Sequence, residues 1–407
     1  MIFAFLKIAF RNILRAKRRS LITVSAVGFG LGALIFIWAF VDGAHRQMVE
    51  NYTSLIAGHI QIHKQGFSQK EQLEMNFSRP EEIIAKLTRL AQVKAVSPRI
   101  KAFGLVSSAE HSSIVSIMGI VPQKELSVSR MSDRVKEGKF LEDNKSIVIG
   151  ERLAKNLNVS LGDKVVIMSQ ALDGSIASAA YHVNGLLDTG ADEIDKGVAL
   201  ITYTAAQELF VMDNKASEIA VRINSAEDAR IVSRMIANDL NSPDLEVLAW
   251  QDISPMLYQW VEFDNGFIWI IVLVVMIVVA IGILNTVLMG VLERTHEFGI
   301  LLALGTKRRQ VISMVAFESL ILGIVGSIAG LGLGCVSSLY YGKAGINLSA
   351  FTQALNNFYM DAFIYPRLSF GHVATSLVLV LIISVVVSLY PAYHAANLKP
   401  VDAIRSI

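Results

Sequence analysis

A single cysteine, Cys335, stands among 407 residues, so no disulfide can close within the chain; it lies in an apolar run, where it reads as packing. Charge is scarce too. Asp, Glu, Lys and Arg make up 18% of the sequence, against roughly a quarter in soluble domains, while hydrophobic residues reach 53% and mean hydropathy is +0.49. That balance excludes an ordinary soluble enzyme and points to the bilayer. With 37 basic against 35 acidic residues there is no global positive field for nucleic acid, and the information lies in where the charges sit.

Catalytic patterns are missing as well. There is no GxxxxGK[ST] loop: Gly138-Lys139 and Gly342-Lys343 lack both the following hydroxyl and the earlier glycine that let backbone amides cradle a phosphate. His296-Glu297 begins like HExxH, but Ile300 stands where the second zinc ligand is needed. His59 and His63 are four apart, yet their neighbours alternate, which places them on a solvated strand face rather than in a metal pair. GxSxG is absent. Gly330, Gly332 and Gly334 follow no strand; instead Gly326, Gly330 and Gly334 recur every four residues, one helix face where another backbone approaches. The expectation is a non-enzyme with no catalytic residue, cofactor or metal of its own.

What the chain has is four long apolar runs, each meeting the roughly 20 residues that a helix needs to cross the hydrocarbon. Spans are predicted over 21–43, 266–292, 311–341 and 370–390, with Pro391 expected to end the last helix. Lys7, Arg11, Arg15, Lys17, Arg18 and Arg19 precede the first span with no acid among them, so the N-terminus is expected in the cytoplasm. Alternation then puts 44–265 and 342–369 outside, and 293–310 and 391–407 inside, where Lys307, Arg308, Arg309, Lys399 and Arg405 agree with it. The first run is longer than a signal-peptide core, and VDGAHR offers no small-x-small cleavage site, so it reads as a retained span. Residues 1–20 read as an interfacial amphipathic helix, Phe5, Leu6, Ala9, Phe10 and Ile13 opposing Lys7, Arg11, Arg15 and Arg18.

Residues 44–265 lose the apolar runs and gain turn chemistry, a soluble α+β domain inserted between the first two spans. Strands are predicted at 59–63, 113–119, 146–150, 164–168, 181–187, 197–201 and 218–223. Helices are predicted from Pro80 to Gln92, from Glu151 to Leu157, after Thr204 with Gln207 completing a capping box, and after Ser225. An amphipathic piece, Ser254 to Phe263, would lead into the second span. The fold class is a membrane protein with four transmembrane helices and a large α+β extracytoplasmic domain.

Between spans two and three lies LERTHEFGILLALGTKRRQ, Leu292 to Gln310. Phe298, Ile300, Leu301, Leu302 and Leu304 give it an apolar surface, Gly305 ends the helix, and the basic triplet returns the chain to the membrane. A partner docking on such a helix moves two spans as one. Glu318, about two turns into the third span, could pair with Lys307 or Arg308 or snorkel, and a structural or coupling pair is expected ahead of an ion path.

Four stretches together carry a resemblance: FLKIAFRNILRAKRRSLIT, the large insert, NTVLMGVLERTHEFGILLALGTKRRQVI and YPAYHAANLKPVDAIRSI. The chain resembles the permeases of MacB and lipoprotein-releasing (LolC/LolE-type) ABC transporters, the FtsX-like superfamily, and the lipoprotein-releasing group most. In that family the segment after span two resembles ER(T)xEIGILRALGA(K)RRQI. Glu293, Arg294, Glu297, Gly299, Ile300, Leu301, Ala303, Leu304, Gly305, Lys307, Arg308 and Arg309 match it, while Phe298 and Leu302 depart from its Ile and Arg. Pro391-Ala392, Ala395-Ala396, Pro400-Val401 and Ala403-Ile404-Arg405 resemble the family's ending, and VNGLLDTGADEIDKGVALI a strand-loop-strand of lipoprotein-releasing permeases.

The resemblance implies a bacterial inner-membrane protein with both termini cytoplasmic and the large domain periplasmic. It also implies a cytoplasmic ATPase dimer carrying ATP and Mg, docked on residues 293–309, and a second permease copy or homologue. The cargo would be an amphiphile, lipoprotein first, and a periplasmic carrier or adaptor is a further candidate partner. SQALDGSIASAAYH stands where one lipoprotein-releasing subunit carries a proline-bearing hook for its carrier, so that feature is not implied here. Two alternatives stay open: an FtsX-like mechanotransmitter acting on an extracytoplasmic hydrolase, and a MacB-like efflux permease.

Overall fold

A computed structural model of the protein describes residues 17–398. The expected interfacial helix lies mostly outside the described residues, as do Pro400, Val401, Ala403, Ile404 and Arg405 of the terminal motif. The chain divides into two compact units, one of residues 17–45, Glu262–Asn347 and 363–398, the other of Arg46–Val261 and Leu348–Ala362.

The first unit is built on four long helices, Lys17–Tyr52, Pro255–Glu293, Arg308–Ala344 and Phe370–Ala396, all apolar and long enough to cross a membrane. Each outruns the apolar stretch that announces it. The amphipathic piece before the second span leads into it without a break, the helix starting at Pro255 and running on to Glu293. In that helix Ile268, Val272, Met276, Val279, Ile283, Val287 and Val291 are buried at helical spacing, while Leu273, Val274, Ile277, Val278 and Ile281 stay exposed. Apolar packing between helices gains little in lipid, so contact falls to small residues and hydroxyls. Thr23 Oγ1 donates to Thr286 Oγ1 at 2.6 Å, and Ser319 Oγ to the Ser384 carbonyl at 3.0 Å.

Gly326, Gly330 and Gly334 are buried against the first long helix. A Cβ on Gly330 would lie 2.8 Å from the Gly28 carbonyl oxygen and from Leu31 Cβ, whereas one on Gly332 would meet nothing within 4 Å. Pro391 does not end the fourth helix, which continues to Ala396. Pro391, Ala392, Ala395 and Ala396 are all buried there, and this packing holds the helix through the proline.

The second unit carries a ten-stranded mixed sheet. Its strands are β1 Ile60–Lys64, β2 Val93–Ser107, β3 Ser112–Ile120, β4 Val135–Gly138, β5 Ser146–Gly150, β6 Lys164–Gln170, β7 Ile176–Leu187, β8 Val198–Thr202, β9 Glu218–Ile223 and β10 Leu245–Ala249. Their order is β10-β1-β9-β2-β3-β8-β5-β7-β4, with β6 bridging β2 and β7. β3 runs parallel to β8 and β5 to β7; the other ladders are antiparallel. The helices used below are α1 Pro80–Leu87, α2 Pro122–Val128, α3 Glu151–Leu157, α4 Tyr203–Phe210 and α5 Ala229–Leu240.

All seven predicted strands form, whereas β2, β4 and β10 carry no clear alternation in the sequence. α4 is capped by Thr202, whose side chain accepts from the Ala205 amide, and not by Thr204. α1 stops at Leu87, short of Gln92. Residues 348–362, expected as part of a loop, fold onto this unit: Asn51 Nδ2 donates to the Tyr359 carbonyl at 2.8 Å, and Arg134 pairs with Asp361 at 3.3 Å.

Candidate functional site

The segment after the second long helix turns at Arg294 into a short connecting helix, Thr295–Ala303. Phe298 and Gly299 are buried, Leu301 and Leu302 half-buried, and Glu297, Ile300, Ala303 and Leu304 exposed. Leu304 is 79% exposed, an unusual place for a leucine. The helix ends in a Schellman motif: Gly305, at φ +91°, donates its amide to the Leu302 carbonyl at 3.1 Å, and Thr306 donates to Leu301 at 3.0 Å. Left-handed backbone at this position is why a glycine stands there. The next helix starts at once, with the Lys307 amide donating to Gln310 Oε1 at 2.8 Å and Lys307, Arg308 and Arg309 exposed.

Arg294 organises the inner side of this turn. Its guanidinium pairs with Glu297 at 2.9 Å and Glu318 at 3.1 Å, and lies 5.3 Å from the centre of the Phe298 ring. Glu318 therefore pairs with Arg294, not with Lys307 or Arg308, because those two start the same helix and point to solvent. Phe298, where the resembling family has Ile, supplies the aromatic face beneath that guanidinium. Arg19 of the first long helix pairs with Glu293, lying over Gly290, where a Cβ would approach the guanidinium to 2.9 Å. Thus the segment between the second and third long helices is held to the first long helix through Glu293 and to the third through Arg294.

The second unit holds a charged feature absent from the sequence reading. His63 sits on β1 as expected and His59 directly before it, but both are buried, since β1 is an interior strand between β9 and β10. Register places Arg99, Glu218, His63 and Glu246 side by side across β2, β9, β1 and β10. Arg99, with 0% exposure, pairs with Glu218 at 2.8 Å and, from α2, with Glu125 at 2.6 Å. The His63 ring nitrogens lie 3.6 Å from Glu218 and 3.7 Å from Glu246, ion-pair rather than hydrogen-bond distances. The signal available in the sequence was that β1 and β9 carry polar residues at matched alternate positions. No group of three or more His, Cys, Asp or Glu among the described residues is arranged for a metal.

Burial lowers the basicity of His63, but the two flanking carboxylates outweigh it, so its pKa lies above 6.5. Burial raises Glu218 and Glu246, and His63, with Arg99 for the first and the Gly66 and Ser68 amides for the second, brings both down to about 2. Burial, then Arg222, lowers His59 to about 4. The signs differ. The His63 contribution is complete below pH 6.5 and is lost as pH rises through its raised folded value. The Glu218 and Glu246 contributions are complete above pH 4.5 and lost as pH falls toward 2; that of His59 is complete above 6.5 and lost as pH falls toward 4. The melting temperature of the purified protein should therefore fall on both sides of pH 6.5, and His63→Gln should flatten the alkaline limb and, because the same ring helps to lower Glu218 and Glu246, weaken the acid limb as well.

On the same sheet, Phe103, Ile114, Met168 and Ile176 share one face by register and are all exposed. Ile176 reaches 81% exposure beside the β6–β7 turn. Sequence reading passed over this face because its four members come from four strands.

Comparison with known proteins covers nearly the whole chain. A family model described as "FtsX-like permease C-terminal" matches residues 269–400, and one described as "MacB-like periplasmic core domain" matches 20–238. The lipoprotein-releasing system transmembrane protein LolC of Xylella fastidiosa (strain 9a5c) is 24% identical, covering 96% of each chain. LolE of Haemophilus influenzae is 23% identical over 94% of this chain and 93% of that protein. The macrolide export ATP-binding/permease protein MacB of Neisseria gonorrhoeae (strain ATCC 700825 / FA 1090) is 23% identical over 98% of this chain, which spans 60% of that protein. The periplasmic region of MacB from Actinobacillus actinomycetemcomitans aligns over 53% of this chain and 97% of its own, with TM-score 0.36 and 16% identity. Four apolar helices, an α+β insert after the first of them, and family models matching both parts make this chain a member of the MacB/FtsX-like family of ABC-transporter permeases.

Proposed function

We propose that this permease transmits force from a separate cytoplasmic ATP-binding dimer, docked on the connecting helix, to its periplasmic domain, extracting a lipoprotein or another amphiphile from the inner membrane. Both termini would be cytoplasmic, and a second permease copy or homologue would complete the pathway. The observation that carries the reading is the connecting helix itself. The turn that leads into it is tied to two long helices through Glu293 and Arg294, while Ile300 and Leu304 stand out among Lys307, Arg308 and Arg309. An exposed apolar pair rimmed by charge is a docking surface in search of a protein. The names of LolC and LolE, and the apolar face at Phe103, Ile114, Met168 and Ile176, support an amphiphilic cargo.

The test is purification from native membranes. The full-length chain should bring an ATP-hydrolysing subunit with it, and Ile300→Asp with Leu304→Asp should lose that subunit while remaining folded. A photo-crosslinker at position 176 should capture an acylated protein, and Ile114→Asp with Ile176→Asp should lower release about tenfold. Those two changes should leave stability within about 0.5 kcal/mol, because both side chains are already in water. Recovery of a cell-wall hydrolase with no acylated protein would replace the transport reading by the mechanotransmission one.

A further inference from the structure

The first long helix, Lys17–Tyr52, runs into a π-helical turn, Thr53–Ala57, and Gly58 at φ +68° then turns the chain into β1. The last carbonyls of a helix have no donor within it. Here the sheet and the loop after α2 supply donors: the Arg130 amide bonds to the Ser54 carbonyl at 2.8 Å, and Arg99 Nη1 donates to the Ile56 carbonyl. The same guanidinium is gripped by Glu125 and Glu218, and the row continues through His63 to Glu246, which accepts from the Gly66 and Ser68 amides at 3.0 and 3.1 Å. Signs alternate along the whole row.

The row reaches both connections to the spans. It starts on the turn that ends the first long helix, and it finishes on β10, followed directly by Trp250–Ile253 and then by the second long helix from Pro255. A well-packed apolar row would stabilise the sheet at least as well as buried ions, so stability does not account for five charged side chains here. Multiple directional bonds on one planar guanidinium do something apolar contacts do not: they fix one orientation.

We propose that Arg99, with Glu125, Glu218, His63 and Glu246, is the positioning joint that fixes the end of the first long helix to the sheet and to β10, so that movement of the spans becomes movement of the periplasmic domain. Arg99 acts through geometry and touches no cargo. The inference rests on the force-transmission reading above.

The experiment uses the full chain with its co-purifying ATP-binding subunit, Cys335→Ser, and spin labels at Ala109→Cys between β2 and β3 and Tyr393→Cys near the end of the fourth long helix, both exposed and outside the proposed docking and cargo surfaces. Distances are measured without nucleotide and after trapping with ATP and vanadate. With the joint intact, trapping should shift the distance distribution; no shift would overturn the functional reading, and the joint with it. Replacing the central charges together, Arg99→Met, Glu125→Leu and Glu218→Leu, should preserve folding and ATP hydrolysis yet shrink the shift at least fourfold. A full shift in that variant would make the row a purely structural feature and overturn the joint alone. Arg99→Lys provides the second variant, keeping the charge while losing the planar fork: the shift should broaden and halve, and an unchanged shift would overturn the proposal even if the triple variant failed to fold.

Discussion

Replacing Arg294 with alanine is expected to cut cargo release by about 5- to 150-fold, the range of ordinary coupling energies, while the complex still assembles and hydrolyses ATP. Arg294 stands between two helices and holds three groups at once: Glu297 at 2.9 Å, Glu318 at 3.1 Å and the Phe298 ring. Glu297 and Phe298 belong to the connecting helix, and Glu318 to the third long helix. Without the guanidinium, the charged link from the connecting helix to the third long helix is gone, and only apolar contacts around Phe298 and the backbone through Gly305 remain. The stability cost should be about 2 kcal/mol, since one charge-assisted hydrogen bond to Glu318 is lost from a mostly buried site. Arg294→Met with Glu318→Leu should recover that stability without recovering release. ATPase and release assays on the reconstituted complex separate the two quantities; equal loss of both would mean that Arg294 serves assembly instead.

Gly330→Leu should be strongly disruptive to the packing of the long helices. Its Cβ alone would sit 2.8 Å from a backbone oxygen of Gly28, and backbone cannot rotate out of the way as a side-chain tip can. Overpacking of this kind costs about 3 kcal/mol or more, enough to separate the first and third long helices. Gly332→Leu supplies the control two residues away, because a Cβ there meets nothing within 4 Å. Thermal unfolding in detergent should show a large loss for the first and a change within about 0.5 kcal/mol for the second. Similar losses for both would mean that helix propensity, not contact, sets the effect.

The spans were legible because twenty apolar residues without charge have few other uses, and the glycine face because its four-residue period survives in the sequence. The expected chain order of strands and helices held where alternation was clean, as in Glu218–Ile223 and Ser146–Gly150. Val93–Ser107 escaped because Pro98 and Gly104 break its pattern. Pairing with β3 begins only at Arg99, one residue after the proline, and Gly104 is needed where a Cβ would meet the Met168 carbonyl at 2.9 Å. His63 was read as solvated because a polar face normally means water; here it means a row of partners from strands more than a hundred residues away. Pro391 was read as a stop because local rules ignore what neighbouring helices hold in place. Of the connecting segment, the helix and its stop at Gly305 were readable, but the partner of Glu318 was set by how the turn at Arg294 folds back.

The central claim is that the connecting helix lies on the motor's side of the membrane and the inserted domain on the other. Single-cysteine variants in a Cys335→Ser background test it most directly, one at Leu304 and one at Ile176, both with side chains in solvent. With a membrane-impermeant maleimide applied to intact spheroplasts, Ile176→Cys should label at once and Leu304→Cys only after the membrane is opened. Labelling of Leu304→Cys in intact spheroplasts would place the helix beyond the reach of any cytoplasmic ATPase and contradict the account.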